Sequence, residues 1–100
     1  MSDNLQEWLR TNADQLDLSQ DMAAEVIPRL AAAGLFGIGV PQSLGGSGGD
    51  VRDAIKAVAG VAEYSLTAAF VFWGHRTFIE YLLHSPNLGL AERLVAPLVR

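Results

Sequence analysis

The sequence predicts an all-α protein, a helical bundle of about five helices. Three observations carry that reading. Apolar residues return at three- and four-residue intervals in successive segments, as in helices that bury one stripe. Helix-capping residues stand where those segments open: Ser2, Asp17, Asp50 and Ser65. No run alternates apolar and polar residues as a half-buried strand would.

The first helix is expected over residues 3–14, with Leu5, Trp8, Leu9 and Leu16 supplying apolar positions. Ser2 can cap it, and Asn4 with Glu7 has the spacing of a capping box. Asp17-Leu18-Ser19-Gln20 reads as a break and a new start, with Asp17 and Gln20 again spaced as a box. A second helix then covers about 20–33 and buries Met22, Val26, Ile27, Leu30 and Ala31. Pro28 lies inside it and cannot donate to the Ala24 carbonyl, which predicts one kinked helix, or two short ones as the alternative. Gly34 is a left-handed stop, and Leu35 can fold back on the last turn.

Residues 34–49 hold seven of the ten glycines and must turn repeatedly. They also carry Leu35, Phe36, Ile38 and Val40, so this loop packs onto something and is not a free linker. Asp50 caps a third helix over about 51–63, with Asp53 in its first turn and Val51, Ala54, Ile55, Val58 and Ala62 on its buried face. A fourth helix starts near Ser65 and runs to about 84. One face carries Leu66, Phe70, Trp73 and Thr77; the other carries Ala68, Phe72, His75, Ile79 and Leu82. Being apolar on both sides, it is expected to be buried on both. Pro86 and Asn87 break the chain, and a fifth helix over about 88–96 is kinked or closed by Pro97.

Composition excludes several functions. At 100 residues the chain is one domain or a piece of a larger protein. With no cysteine it has no disulfides, no thiolate metal site and no thiol nucleophile. The net charge is -4, with two arginines against seven acids in the first fifty residues. That disfavours nucleic acid, including a helix-turn-helix mode of binding. No apolar run approaches the ~18 residues of a membrane span. The polar, acidic start is not a signal or transit peptide, so a cytoplasmic protein is expected.

The residues alone offer no self-sufficient active site. The glycine cluster lacks the Gly-Lys-Ser/Thr of a phosphate loop, and Asp50 follows it where an anion would sit. His75 has no acid four residues on to share a metal, and among aromatics it reads as a core histidine with one hydrogen bond. His84 follows Glu80 near a helix end, and Arg76 with Glu80 has ion-pair spacing; both suit helix support. Tyr64, Ser65, Thr77 and Tyr81 have no base partner. No catalytic residue and no metal ligand is expected in this chain.

The run from Leu30 to Gly49 nevertheless carries a resemblance. A helix ends in Gly34-Leu35, a short apolar stretch leads to Val40-Pro41, and Gly45-Gly46-Ser47-Gly48 forms a turn. A small-residue helix to Ala62-Glu63, a long apolar helix, and Arg93-Leu94-Val95-Ala96-Pro97-Leu98 follow in order. Over roughly residues 15–100 the ordered set resembles the N-terminal region of the acyl-CoA dehydrogenase family. The resemblance implies that residues 1–100 are the N-terminal helical domain of a flavoenzyme, without its middle β-domain and C-terminal helical domain. In that family FAD lies between those two domains and is shared across a subunit interface. A glutamate in the C-terminal domain takes the α proton of an acyl-CoA while the flavin accepts hydride. The implied partners are an acyl-CoA or another small apolar substrate and further copies in a homo-oligomer, with no cofactor bound to this chain alone.

By the same resemblance the long helix lines the acyl pocket, which assigns Phe70, Trp73 and Thr77 to the pocket wall. Phe70 and Trp73 are bulky enough to shorten an apolar tunnel. His75 resembles a position of flavin monooxygenase relatives that use FMN and oxygen, which keeps that chemistry as an alternative. A stand-alone helical assembly module without catalysis is another.

Overall fold

The computed structural model describes residues 2–18 and 20–100. Five α-helices follow one another: α1 Asp3–Leu18, α2 Gln20–Ala32, α3 Val51–Ala62, α4 Leu66–Leu83 and α5 Leu88–Val99. Two single 3-10 turns, Leu35–Gly37 and Gln42–Leu44, lie between α2 and α3. Among the described residues the only β-type pairing is two isolated bridges from Gly48, to Ile38 and to Val40. The all-α expectation holds.

Helix α1 is longer than expected, because Leu16 lies seven residues after Leu9 on the same face and is buried with it and Leu5. The expected Asn4–Glu7 capping box does not form. The Ser2 hydroxyl accepts from the Leu5 amide at 3.3 Å, which places the cap two residues earlier and Asn4 inside the first turn. The expected break and Asp17–Gln20 box fall at Ser19 and the Gln20 side chain, outside the described residues. The Asp17 carboxylate accepts from the Thr67 hydroxyl, which ties α1 to α4.

Helix α2 runs unbroken through Pro28. Pro28 and Ala24 both face solvent, so the carbonyl deprived of its donor can bond water. Val26 and Leu30 are fully buried; Ile27, expected in that stripe, is 41% exposed. It lies 100° round the helix from Val26, outside the stripe the neighbouring helices cover. Pro97 likewise sits within α5, which runs to Val99 and not to 96. Its freed carbonyl is that of exposed Arg93. The Asn87 side chain accepts from the Leu90 amide and caps this helix, where the sequence suggested only a break.

Gly34 ends α2 with φ 77°, a left-handed conformation that costs a glycine little. The chain then turns inward. Leu35, Phe36 and Val40 are buried, and Phe36 packs edge-on against Phe72 of α4 with centroids 5.6 Å apart. The loop therefore belongs to the core, as its apolar content implied. Gly46 holds it closed, for a Cβ there would overlap the Val40 carbonyl oxygen and Cβ. Both are close to rigid backbone, so Gly46→Ala is expected to cost about 1–3 kcal/mol of unfolding free energy. Urea denaturation checks this; a midpoint equal to that of the parent would mean the loop yields freely.

Asp50 caps α3 as expected. Its carboxylate accepts from the amides of Arg52 at 2.9 Å and Asp53 at 3.3 Å, while Asp53 accepts from the Asp50 amide at 2.9 Å. The Arg52 guanidinium, then the Asp53 amide, hold the Asp50 carboxyl below its ordinary value of 3.8. A depressed folded-state pKa contributes stability above the unfolded value and loses it as pH falls through the folded value. Asp50→Asn keeps a capping oxygen but removes the charge. The difference in thermal midpoint between parent and Asp50→Asn should therefore be constant near neutrality and shrink below pH 3.8. A difference that persists unchanged to pH 2 would contradict it.

Helix α4 is the centre of the fold, touching α1, α2, α3, α5 and the Leu35–Gly37 turn. Ala68, Ala69, Phe72, Ile79 and Leu82 face inward and are buried. The expectation of burial on both faces fails. Leu66 is 76% exposed, Phe70 72%, Trp73 55% and Tyr81 74%. Only one side of α4 has helices against it among the described residues. Its aromatic content is therefore divided between a core and an open apolar stripe.

Candidate functional site

Helices α3 and α4 leave an open groove between them of about 520 Å3. Val51, Ala54, Ile55, Val58 and Ala59 line it from α3, and Trp73, Arg76, Thr77 and Glu80 from α4. The two stripes share one spacing, i, i+3, i+4, i+7, so each is one helix face. Val51 and Ile55 were expected in the core; they are 47% and 61% exposed because they look into this groove. The walls are almost wholly apolar.

The charged side chains among the lining residues are Arg76 and Glu80. The Arg76 side chain is only 6% exposed. Its Nε donates to the Ile38 carbonyl and its Nη2 to the Gly39 carbonyl, both at 3.2 Å. Its Nη1 lies 2.7 Å from Glu80 Oε1, an ion pair whose two atoms are buried but not aligned as a hydrogen bond. Glu80 Oε2 meets exposed His84 Nε2 at 2.6 Å. A polar chain thus runs from the surface through Glu80 and Arg76 to the glycine-rich loop. Spacing suggested helix support here and missed the burial of Arg76. The signal was present: between Glu63 and Glu80 the only charged residue is Arg76.

The pocket-wall candidates Phe70, Trp73 and Thr77 and the further pocket candidate His75 are not all together. Trp73 and Thr77 line the groove. Phe70 stands beside Trp73 on the open stripe, with ring centroids 6.2 Å apart and planes tilted by 42°. His75 is on the far side of α4 from Trp73, because two residues turn a helix by 200°. Its Nε2 lies 2.7 Å from the Leu98 carbonyl oxygen and its ring packs on Phe36 at 4.0 Å. It is a part-buried histidine with one hydrogen bond, less enclosed than the core position the residues alone implied.

Chemically, the groove can hold an apolar body. It brings together no nucleophile with a base, and no three acidic or histidine side chains among the described residues are placed to share a metal. Among those residues no helix is long and apolar enough to cross a membrane.

Comparison with known proteins adds the context. A family model described as acyl-CoA dehydrogenase, N-terminal domain, matches residues 1–100. The caffeyl-CoA reductase-Etf complex subunit CarC of Acetobacterium woodii is 36% identical over 61 residues. That match covers 55% of this chain and 16% of the relative, so the chain spans a small part of that protein's length. No solved structure matches.

Proposed function

The chain belongs to the acyl-CoA dehydrogenase family, as its N-terminal domain, and from that premise we propose that it walls the substrate pocket of a flavin-dependent acyl-CoA oxidoreductase. The observation that carries the proposal is the open apolar stripe of α4, Leu66, Phe70 and Trp73, beside the α3–α4 groove. Exposed rings on one helix face of a 100-residue domain are costly in water and mark a surface that another body covers. The rest of the enzyme and an acyl substrate are those bodies. The role of α4 is to exclude water and position the acyl group, not to make or break bonds. The relative named as a reductase of a CoA ester favours redox chemistry on a thioester.

FAD supplies hydride transfer in this reading. The residues of this chain fit the apolar border of such a site but not its diphosphate. Arg76, the cation of the groove, spends two nitrogens on loop carbonyls and sets the third against Glu80. The diphosphate donors belong to other domains, and no proton or hydride step is assigned to these residues. The monooxygenase alternative leaned on His75, which faces Phe36 and Leu98, so nothing in the groove favours it.

The test uses the full-length protein. It should purify with flavin absorbance that bleaches anaerobically when a suitable acyl-CoA is added. A protein that binds no flavin, or whose flavin no acyl-CoA reduces, would sink the proposal.

A further inference from the structure

We infer that Glu80 and His84 form an acid-sensitive latch on the glycine-rich loop: a proton on His84 draws the Glu80 carboxylate toward the surface, leaves buried Arg76 short of its counter-charge, and loosens the loop that Arg76 holds. The inference stands on geometry within this chain and not on the pocket-wall reading above.

Glu80 is one carboxylate between two cationic groups. Its Oε1 is buried 2.7 Å from Arg76 Nη1, and its Oε2 lies 2.6 Å from His84 Nε2. The contact with His84 is aligned as a hydrogen bond and the contact with Arg76 is not. A carboxylate serving Arg76 alone would align on Nη1, the nitrogen that makes no bond to the loop. The two groups also sit in unlike surroundings. The Arg76 side chain is 6% exposed and that of His84 76%. Guanidinium keeps its charge throughout the ordinary pH range, whereas imidazole is the side chain that changes charge between about pH 5 and 8. Neutral His84 with its proton on Nε2 gives Oε2 an ordinary hydrogen bond; the imidazolium adds a full positive charge. That charge shares the negative charge on which Arg76 depends, and buried Arg76 has no water to make up the loss.

No other titratable group is placed to produce this response. From α3 the groove turns only Val51, Ala54, Ile55, Val58 and Ala59 toward the pair. The loop offers Arg76 backbone carbonyls. In α5, Glu92 and Arg93 are exposed, and Arg93 turns back on the Gly89 carbonyl. Arg29 of α2 lies over Trp8, and Asp17 of α1 meets Thr67 at the opposite end of α4. His75, the other imidazole, contacts Leu98 and Phe36 away from the groove. The Ile38 and Gly39 carbonyls gripped by Arg76 adjoin the bonds that close the loop. Gly39 donates to the Gly48 carbonyl at 2.8 Å, Gly48 to that of Val40 and Ser47 to that of Gly37, both at 2.9 Å. Amide exchange at these positions therefore reports the latch.

The test is hydrogen–deuterium exchange of the full-length protein at about pH 5.5 and about pH 8, corrected for the intrinsic exchange rate at each. Protection over residues 37–48 should be about two- to fivefold lower in acid. His84→Gln keeps a donor without the charge and should abolish the difference. Glu80→Gln should show low protection at both pH values. His75 is present in all three proteins, so its own titration cancels, and circular dichroism confirms that each is folded. Protection in the parent that is unchanged or higher in acid would overturn the inference. So would a fall that persists in His84→Gln, or a Glu80→Gln loop as well protected as the parent's at the higher pH.

Discussion

Arg76→Leu is expected to lower the unfolding free energy by about 3–5 kcal/mol, measured by urea denaturation. Arginine at this position is 94% out of solvent by side chain, since only 6% remains exposed. It does three things at once. It donates to the Ile38 and Gly39 carbonyls at 3.2 Å, and it neutralises Glu80 at 2.7 Å. Leucine fills part of the volume but leaves two loop carbonyls without their donor and a half-buried carboxylate without its cation. Glu80 can turn to water and to His84, so the lower end of the range is the better expectation. The double variant Arg76→Leu, Glu80→Leu separates the two contributions. Removing both charges should recover the part due to the abandoned carboxylate. It cannot recover the hydrogen bonds to the loop, each worth about 1.5–3 kcal/mol as a bond to a charged donor. Full recovery would mean that Arg76 balances charge and does not pin the loop.

That pin was not legible in the sequence, and the reason is physical. Local rules fix what neighbours along the chain do: Asp50 and Ser65 cap helices, Gly34 ends one, and the stripe of Val26 and Leu30 points inward. Each of these depends on residues within four positions. Burial of Arg76 depends on loop carbonyls 37 and 38 residues away. Spacing shows Arg76 and Glu80 on one helix face but not what that face meets. The same limit explains Val51 and Ile55, whose periodicity marks them apolar without saying whether core or groove receives them. It also explains α4, where an apolar helix was read as a covered one. Trp73 and Thr77 line the groove, while His75 lies on the opposite side of α4 against Phe36, a division that depends on what packs around the helix and not on spacing along it.

Phe36→Ala should be the second large loss, about 3–5 kcal/mol. For a chain of this size that lowers the thermal midpoint by roughly 15–30 °C. Phe36 is fully buried although it lies in a loop, and it joins that loop to the central helix twice. Its ring meets Phe72 edge-on at 5.6 Å and the His75 imidazole at 4.0 Å. Alanine would leave a void bounded by backbone that the Gly46 contact with Val40 keeps from closing, so the cavity adds to the lost transfer energy. Phe70→Ala is the control. The same truncation on α4, at a ring 72% exposed, should move stability by no more than about 0.5 kcal/mol. If the two variants lose comparable stability, the Phe70 ring is packed in solution and the open stripe of α4 is not open. If only Phe36→Ala falls, the aromatics of this chain divide between those that hold the fold and those the fold leaves exposed.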